Sequence, residues 1–316
     1  MNVLVTGATG LVGGSLVSCL SAKKDIKICA AIRHQASTLP ADIQVHKVGD
    51  LGAYTNWDSA LKDIQVVIHT AARVHVMNDS ASDPLTEFRK VNVEGTLNLA
   101  RQAAAANVKR FIFISSIKVN GELTETGKPF RADDQPNPVE PYGISKWESE
   151  VGLHQLAIET GMEVVIIRPP LVYGPGVKAN FLSMMRWVNR GVPLPFGAIH
   201  NKRSLVAISN LTSLIVTCID HPDAANQIFL AGDGEDLSTS ELLKRIGKVL
   251  RKPARLIPIP SFLLIFLASL LGKKDVAQRL FGSLQVDISK ARELLGWEPP
   301  VSVDEGLLKT VEGFLN

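Results

Sequence analysis

The 316-residue chain has little of what marks several classes of protein. Its three cysteines, Cys19, Cys29 and Cys218, are too few and too widely spaced for a disulfide framework, and the histidines show no spacing typical of metal ligands. The formal net charge is only +3, with Lys and Arg dispersed along the chain, which argues against nucleic acid as a partner. The N-terminus shows no basic leader or cleavage site. We therefore expect a cytoplasmic protein with reduced thiols and no metal ion.

Long apolar runs are missing too, with one partial exception. The stretch from Phe262 to Leu271 is apolar on every side and is followed by Lys273 and Lys274. It is shorter than the about 20 residues that span a bilayer. Because apolarity all round a helix usually indicates burial, we expect a buried helix here and no transmembrane span. Peripheral contact of residues 262–271 with a membrane interface is the alternative.

The first half of the chain alternates short apolar runs with helical segments. This alternation predicts βαβ units and a parallel sheet, and the uniformly apolar strands predict that helices cover both faces. The fold class is therefore α/β with a doubly wound parallel sheet. Predicted strands cover residues 3–5, 26–32, 43–48, 66–68, 111–114 and 164–167, and predicted helices include 91–105 and 142–160.

The alternation stops after Pro170, where helices and proline-rich connections take over. This composition suits a smaller, mainly helical C-terminal lobe. We expect residues 1–170 to form a dinucleotide-binding domain, with 204–230 packing back on it. Residues 171–203 and 231–316 would then form a substrate-binding lobe.

A glycine-rich turn follows the first strand directly. Gly7, Gly10 and Gly13 are spaced Gly-x-x-Gly-x-x-Gly, wider than the common Gly-x-Gly-x-x-Gly. Glycines allow close approach of a pyrophosphate, and the helix that follows offers unpaired N–H groups and a favourable dipole. The position of the turn, at residue 7 after a strand, predicts a dinucleotide site.

The end of the second strand bears on which dinucleotide is bound. NAD sites usually carry an acidic residue there, whereas an arginine accommodates the 2′-phosphate of NADP. This chain has Arg33 and no carboxylate nearby. A guanidinium suits a phosphate, so the sequence favours NADP over NAD. The alternative is that Arg33 is a solvated residue at the strand end.

Tyr142 and Lys146 stand four residues apart, in Tyr-Gly-Ile-Ser-Lys, so a helix would project both from one face. An ammonium near a phenol favours the phenolate and lowers its pKa. A phenol of ordinary pKa, about 10, needs such help to exchange protons near neutrality. Ser115 and Ser116 end a strand earlier in the chain. Together with the glycine turn, the pair predicts an oxidoreductase.

These residues and further motifs resemble the extended short-chain dehydrogenase/reductase family, in its nucleotide-sugar epimerase/reductase branch. The further motifs are Gly49-Asp50-Leu51, His69-Thr70-Ala71-Ala72, Val91-Asn92-Val93-Glu94-Gly95-Thr96, Arg168 to Gly176 and Leu295-Gly296-Trp297-Glu298-Pro299. The resemblance covers essentially the whole chain and implies a Rossmann-type fold and a homodimer paired through the helix 142–160. It implies cofactor contacts from Gly7, Thr9, Gly10, Leu11, Val12, Gly13, Arg33, Asp50, Leu51, Thr70, Ala71, Ala72, Asn92, Ser115, Tyr142, Lys146 and Pro169.

The resemblance also implies a reaction at a sugar carbon bearing oxygen. Tyr142 would pass a proton to that oxygen, Lys146 would lower the tyrosine pKa, and Ser116 would hydrogen-bond the same oxygen. By family position, the residues implied to bind the UDP-sugar are Ser116, Lys118, Tyr142, Asn180 and Arg203, with His75 as a further candidate.

Three functions remain open at this point. Residues 72–79 and 114–121 look most like bacterial enzymes of O-antigen synthesis that reduce the 4-keto group of a UDP-4-keto-6-deoxy-N-acetylhexosamine, which makes reduction with NADPH the first expectation. A UDP-hexose 4-epimerase with tightly bound NAD is the alternative. Asn120 and Leu171 depart from the epimerase pattern, which has Tyr and Asn at those positions. A non-catalytic dinucleotide sensor is the third.

Overall fold

The computed structural model describes residues 1–34, 39–40, 43–74, 83–125, 127–270 and 280–315. The strands are β1 Asn2–Thr6, β2 Lys27–Ile32, β3 Gln44–Lys47, β4 Val66–His69, β5 Arg110–Ile114, β6 Glu163–Arg168, β7 Leu171–Tyr173, β8 Arg203–Ala207, β9 Ile228–Leu230 and β10 Asp236–Leu237. The α-helices are α1 Leu11–Ser21, α2 Asp58–Leu61, α3 Pro84–Phe88, α4 Thr96–Ala105, α5 Pro141–Thr160, α6 Ala179–Asn189, α7 Ile208–Thr217, α8 Thr239–Val249, α9 Ser261–Leu270, α10 Ser289–Leu295 and α11 Val303–Leu315.

Seven parallel strands form the main sheet in the order β3-β2-β1-β4-β5-β6-β9. The chain reverses direction across the sheet between β1 and β4, and ligands of such sheets bind in the crevice at the carboxyl ends of the strands at this point. The predicted α/β fold with a doubly wound parallel sheet is confirmed.

Helices cover both faces of the sheet. On one face, α1 and α7 bury Leu16, Leu20, Leu211 and Leu214 against alternate residues of the central strands. On the other face, the buried side chains of α4 and α5 pack against the remaining strand residues. Helix α7 lies against α1 and shares its core.

A second unit is built around the small sheet β10-β8-β7 with α6, α8 and α11. Its core contains the stacked rings of Tyr173 and Phe181, 5.4 Å apart. A capping box of Ser238 and Glu241 begins α8. The domain boundaries given above stay a prediction, as does the homodimer, although Val151 and Ile158 of α5 are exposed apolar residues.

Two local expectations differ from the structure. The predicted helix 91–105 begins as a π-helix, Arg89–Gly95, before α4. The expected burial of the apolar stretch from Phe262 is wrong: α9 leaves Phe262 68% and Phe266 59% exposed. Among the described residues, no helix is long and apolar enough to cross a membrane.

Candidate active site

The glycine turn lies at the carboxyl end of β1 and is fixed by close backbone packing. Gly7 has a φ of +68°, and its carbonyl oxygen accepts a 2.8 Å hydrogen bond from the Gly10 N–H. A Cβ on Gly13 would lie 2.2 Å from that same carbonyl oxygen, so only glycine fits there. No side chain caps the start of α1, and no acidic residue lies in its first turn. This open positive helix end fits the diphosphate of a dinucleotide.

The end of β4 is tied to the glycine turn by a buried histidine. His69 lies between two hydroxyls, with Nδ1 2.7 Å from Thr6 Oγ1 and Nε2 2.9 Å from Thr96 Oγ1. Burial, together with the positive charge of Lys146, lowers the pKa of His69 to about 3, so the ring stays neutral. Thr70 donates to the Thr6 carbonyl oxygen at 2.6 Å. The crevice between β1 and β4 is therefore held at a fixed width.

Lys146 is the buried cation of the site. It is 2% exposed, and its Nζ donates to the carbonyl oxygen of Ile114 at 2.9 Å and lies 4.4 Å from the centroid of the Phe113 ring. Burial lowers the pKa of Lys146 to about 7, against the opposing effect of the nearby Glu150 carboxylate. The ammonium is thus fixed at the end of β5, one strand away from the crevice.

Tyr142 and Ser116 meet at the same strand end. Their side chains share a hydrogen bond, which lowers the Tyr142 pKa, but burial has the larger effect and raises that pKa to about 12. The predicted lowering of the Tyr142 pKa by Lys146 is therefore wrong for this arrangement, because Lys146 is held on Ile114 and Phe113 instead. At neutral pH Tyr142 is a protonated phenol, ready to donate to an oxygen.

A buried ion pair joins helix α5 to the end of β6. Arg168, at the end of β6, binds both carboxylate oxygens of Glu150 at 2.6–3.2 Å, and both side chains are 1% exposed. Ser115 also donates to Glu150, and Asn120 accepts from Arg168 at 3.0 Å. This network was not predicted from the sequence. The spacing of Glu150, four residues after Lys146, would have indicated a buried carboxylate on the same face of α5.

Asn92 joins the loop after β4 to helix α5. Its Oδ1 accepts from the Arg73 N–H at 2.8 Å, and its Nδ2 donates to the Arg73 carbonyl and to Ser145 Oγ, each at 3.0 Å. The residue is 1% exposed and lies in the π-helix, which places this side chain between the two elements. Pro169 accepts a 3.0 Å hydrogen bond from the Ile117 N–H and so lies beside the turn that carries Ser116.

The expected substrate residues lie together only in part. Lys118 pairs with Glu122 and lies 3.5 Å from Glu140. Burial lowers the pKa of Arg203, whereas the Glu122 charge raises it, so Glu122 interacts with both expected cations. Asn180 is exposed in the first turn of α6, outside this cluster. His75 lies outside the described residues.

Arg33 and Asp50 meet at the far edge of the crevice. Their side chains lie 3.7 Å apart as an ion pair, 69% and 84% exposed. Leu51, the next residue, packs against Gly95, where a Cβ would lie 2.6 Å from Leu51 Cγ. An exposed pair of this kind is weak and leaves Arg33 available to a ligand.

Comparisons with known proteins identify the family of the chain. Residues 3–232 match the NAD dependent epimerase/dehydratase family. A Vibrio cholerae protein named UDP-glucose 4-epimerase is 52% identical over 99% of this chain and 95% of its own length. The Thermotoga maritima UDP-glucose 4-epimerase, solved with UDP-glucose, is 26% identical with a TM-score of 0.79, covering 100% of this chain and 99% of its own.

A further solved relative bears on the cofactor. MoeE5, solved with UDP-glucose and NAD, is 25% identical with a TM-score of 0.79 over 100% of this chain and 99% of its own. The dinucleotide there is NAD, so the predicted preference for NADP has no support from this relative. On the family match and the 52% identical relative, the chain belongs to the NAD-dependent epimerase/dehydratase family and is an NAD-dependent nucleotide-sugar epimerase or reductase.

Proposed function

We propose that the protein is a UDP-hexose 4-epimerase with NAD as its bound cofactor. The name of the 52% identical relative and the UDP-glucose in the Thermotoga maritima structure support this choice. It reverses the order of the two reactions expected from the sequence, where the 4-ketoreductase came first.

The observation that carries the proposal is the hydrogen-bonded pair of Tyr142 and Ser116 at the carboxyl end of β5, with Lys146 buried behind it. The glycine turn would hold a dinucleotide whose nicotinamide would supply reversible hydride transfer at the sugar C4, and inversion requires the hydride to return to the opposite face of the 4-ketone. Tyr142 takes the proton of the C4 oxygen as hydride leaves C4 and gives it back as hydride returns, and the Ser116 hydroxyl stabilises the charge that develops on that oxygen. Taking a proton requires the phenolate, and Lys146 does not lower the Tyr142 pKa from about 12, so the positive charge of a bound oxidised nicotinamide would have to lower it.

The residues also account for how a diphosphate would be held. Arg203 is fixed by donating to the Gly282 carbonyl oxygen at 3.1 Å, and a fixed guanidinium suits phosphate oxygens. Glu122 lies between the charges of Arg203 and Lys118 and limits how much positive charge the cluster carries. We assign Arg203 to the diphosphate and Lys118 to the sugar.

The 4-ketoreductase is the second candidate, acting on a UDP-4-keto-6-deoxy-N-acetylhexosamine for O-antigen synthesis. Asn120 favours it. Epimerases of this branch usually carry tyrosine at that position, whereas Asn120 is 3% exposed and bonds Arg168 and the Arg131 carbonyl oxygen. The site therefore lacks a phenol that the epimerase pattern supplies at this position.

One set of assays separates the two reactions. The purified protein is incubated with UDP-glucose, UDP-galactose and UDP-N-acetylglucosamine without added cofactor, and separately with a 4-keto-6-deoxy UDP-sugar and NADPH or NADH. Interconversion of the first set supports the epimerase. Consumption of reduced cofactor in proportion to product, without interconversion, would overturn it in favour of the reductase.

A matched pair of variants tests the proton carrier in either reaction. Tyr142→Phe should lower turnover by a factor of about 10² to 10⁴ while dinucleotide binding is retained. Tyr54→Phe is the control, because Tyr54 is fully exposed. Equal turnover in the two variants would refute the role given to Tyr142.

A further inference from the structure

Helix α9 presents an apolar face to solvent in the second unit of the protein. Its exposed large side chains occur at positions i, i+1, i+4, i+5 and i+8, which is one face of an α-helix. They are Phe262 at 68%, Leu263 at 41%, Phe266 at 59%, Leu267 at 52% and Leu270 at 69% exposure. Single exposed apolar residues are ordinary on protein surfaces, whereas a continuous apolar helix face marks a contact surface.

The charge pattern around α9 indicates what this face contacts. Between Leu256 and Gly272 the sequence has no charged residue. Immediately before this stretch stand three cations, Arg251, Lys252 and Arg255, all exposed. An apolar helix face beside basic residues is the pattern of helices that lie in the interface of an anionic bilayer.

The size of the face argues against a second copy of this chain as the occupant. A ten-residue helix is about 15 Å long and about 10 Å wide, a footprint of about 150 Å². A stable protein interface needs about 800 Å² from each partner. Interfacial insertion has no such threshold, since its strength grows with the apolar area buried plus the attraction of cations to anionic lipid.

The chain is anchored on both sides of α9. Before the helix, the Ile257 carbonyl oxygen accepts from the Gly197 N–H at 2.9 Å. After it, the Gly282 carbonyl oxygen accepts from Asn201 at 3.1 Å and from Arg203 at 3.1 Å. Arg203, the expected diphosphate residue, is therefore bonded to the described chain that follows α9.

We propose that α9 docks the protein peripherally on an anionic phospholipid surface, with the Phe262/Phe266 face in the interface and the cations Arg251 and Arg255 on lipid phosphates. The proposal rests on the exposed helix and stands independently of which sugar reaction the site performs.

Vesicle co-sedimentation of the full chain tests the proposal. We expect binding to phosphatidylcholine vesicles containing phosphatidylglycerol, and at least tenfold weaker binding to phosphatidylcholine alone. Phe262→Ser/Phe266→Ser should weaken binding to the anionic vesicles at least tenfold, and Arg251→Gln/Arg255→Gln should remove most of its salt dependence. Leu315→Ser is the matched control, since Leu315 is a 62% exposed apolar residue on α11.

Two results would overturn the proposal. One is wild-type protein that stays in the supernatant with both vesicle types. The other is a double phenylalanine variant that binds as well as the wild type, or that only converts a dimer into a monomer on a sizing column, which would make α9 a contact between copies. Circular dichroism and UDP-sugar turnover without vesicles confirm that each variant is folded.

Discussion

Burial of Lys146 should make the stability of the dinucleotide-free protein rise with pH. The Lys146 pKa is about 7 in the folded chain, against 10.5 for an unperturbed lysine. Between these values the unfolded chain binds one more proton than the folded chain, so raising the pH favours folding. Summed from pH 7 to pH 9, this difference raises the free energy of unfolding by about 2 kcal/mol.

Lys146→Met removes the titrating group and should flatten this dependence. The variant and the wild type are unfolded in urea at pH 7, 8 and 9 after any co-purified dinucleotide has been stripped. His69, whose pKa is about 3 in the folded chain against 6.5 for an unperturbed histidine, stays neutral in the folded chain across this window and adds little to the slope. Lys244→Met is the control, because Lys244 is exposed on α8. The same slope in wild type and Lys146→Met would refute the argument.

Three further outcomes follow from the geometry. Glu150→Gln should lower the free energy of unfolding by about 3 to 5 kcal/mol, because it leaves the buried Arg168 charge unpaired. Urea unfolding measures this change. The control is Glu159→Gln, exposed on the same helix, which should change the free energy of unfolding little. Arg33→Ala should weaken NADP binding about tenfold or more while changing NAD binding little, as measured by calorimetry. An equal loss of affinity for both dinucleotides would show that Arg33 does not select the 2′-phosphate. Gly13→Ala should abolish dinucleotide binding, because the added Cβ would lie 2.2 Å from the Gly7 carbonyl oxygen. Quenching of the protein fluorescence by added dinucleotide measures binding, and quenching retained in the variant would contradict this prediction.

The parallel sheet was predictable because its strands are apolar throughout and separated by helical segments. Strand β5, for example, is buried at every position, and the corresponding run in the sequence contains no polar residue after Arg110. The glycine turn was predictable because the backbone of the turn approaches itself so closely that side chains other than that of glycine do not fit. The requirement is therefore visible in the sequence as glycines at fixed spacing.

Properties that depend on distant neighbours were not predictable. The pKa of Tyr142 is set by burial under the surrounding elements, which the spacing to Lys146 does not reveal. The exposure of α9 was not predicted, because an apolar sequence indicates only that a helix favours apolar contacts. Whether another element covers the helix depends on the whole fold. Glu150 and Arg168 are 18 residues apart in the chain, so their pairing follows only from the packing of α5 on β6.

The ion pair between Glu150 and Arg168 fixes the register of α5 on the sheet. A shift of α5 by one residue would leave two buried charges unpaired, so intermediate positions are strongly unfavourable. The position of the Tyr142 hydroxyl relative to the strand ends is consequently set by the sheet and does not depend on the loops of the second unit. Changes in those loops can therefore alter what the protein binds while the Tyr142 hydroxyl stays in place.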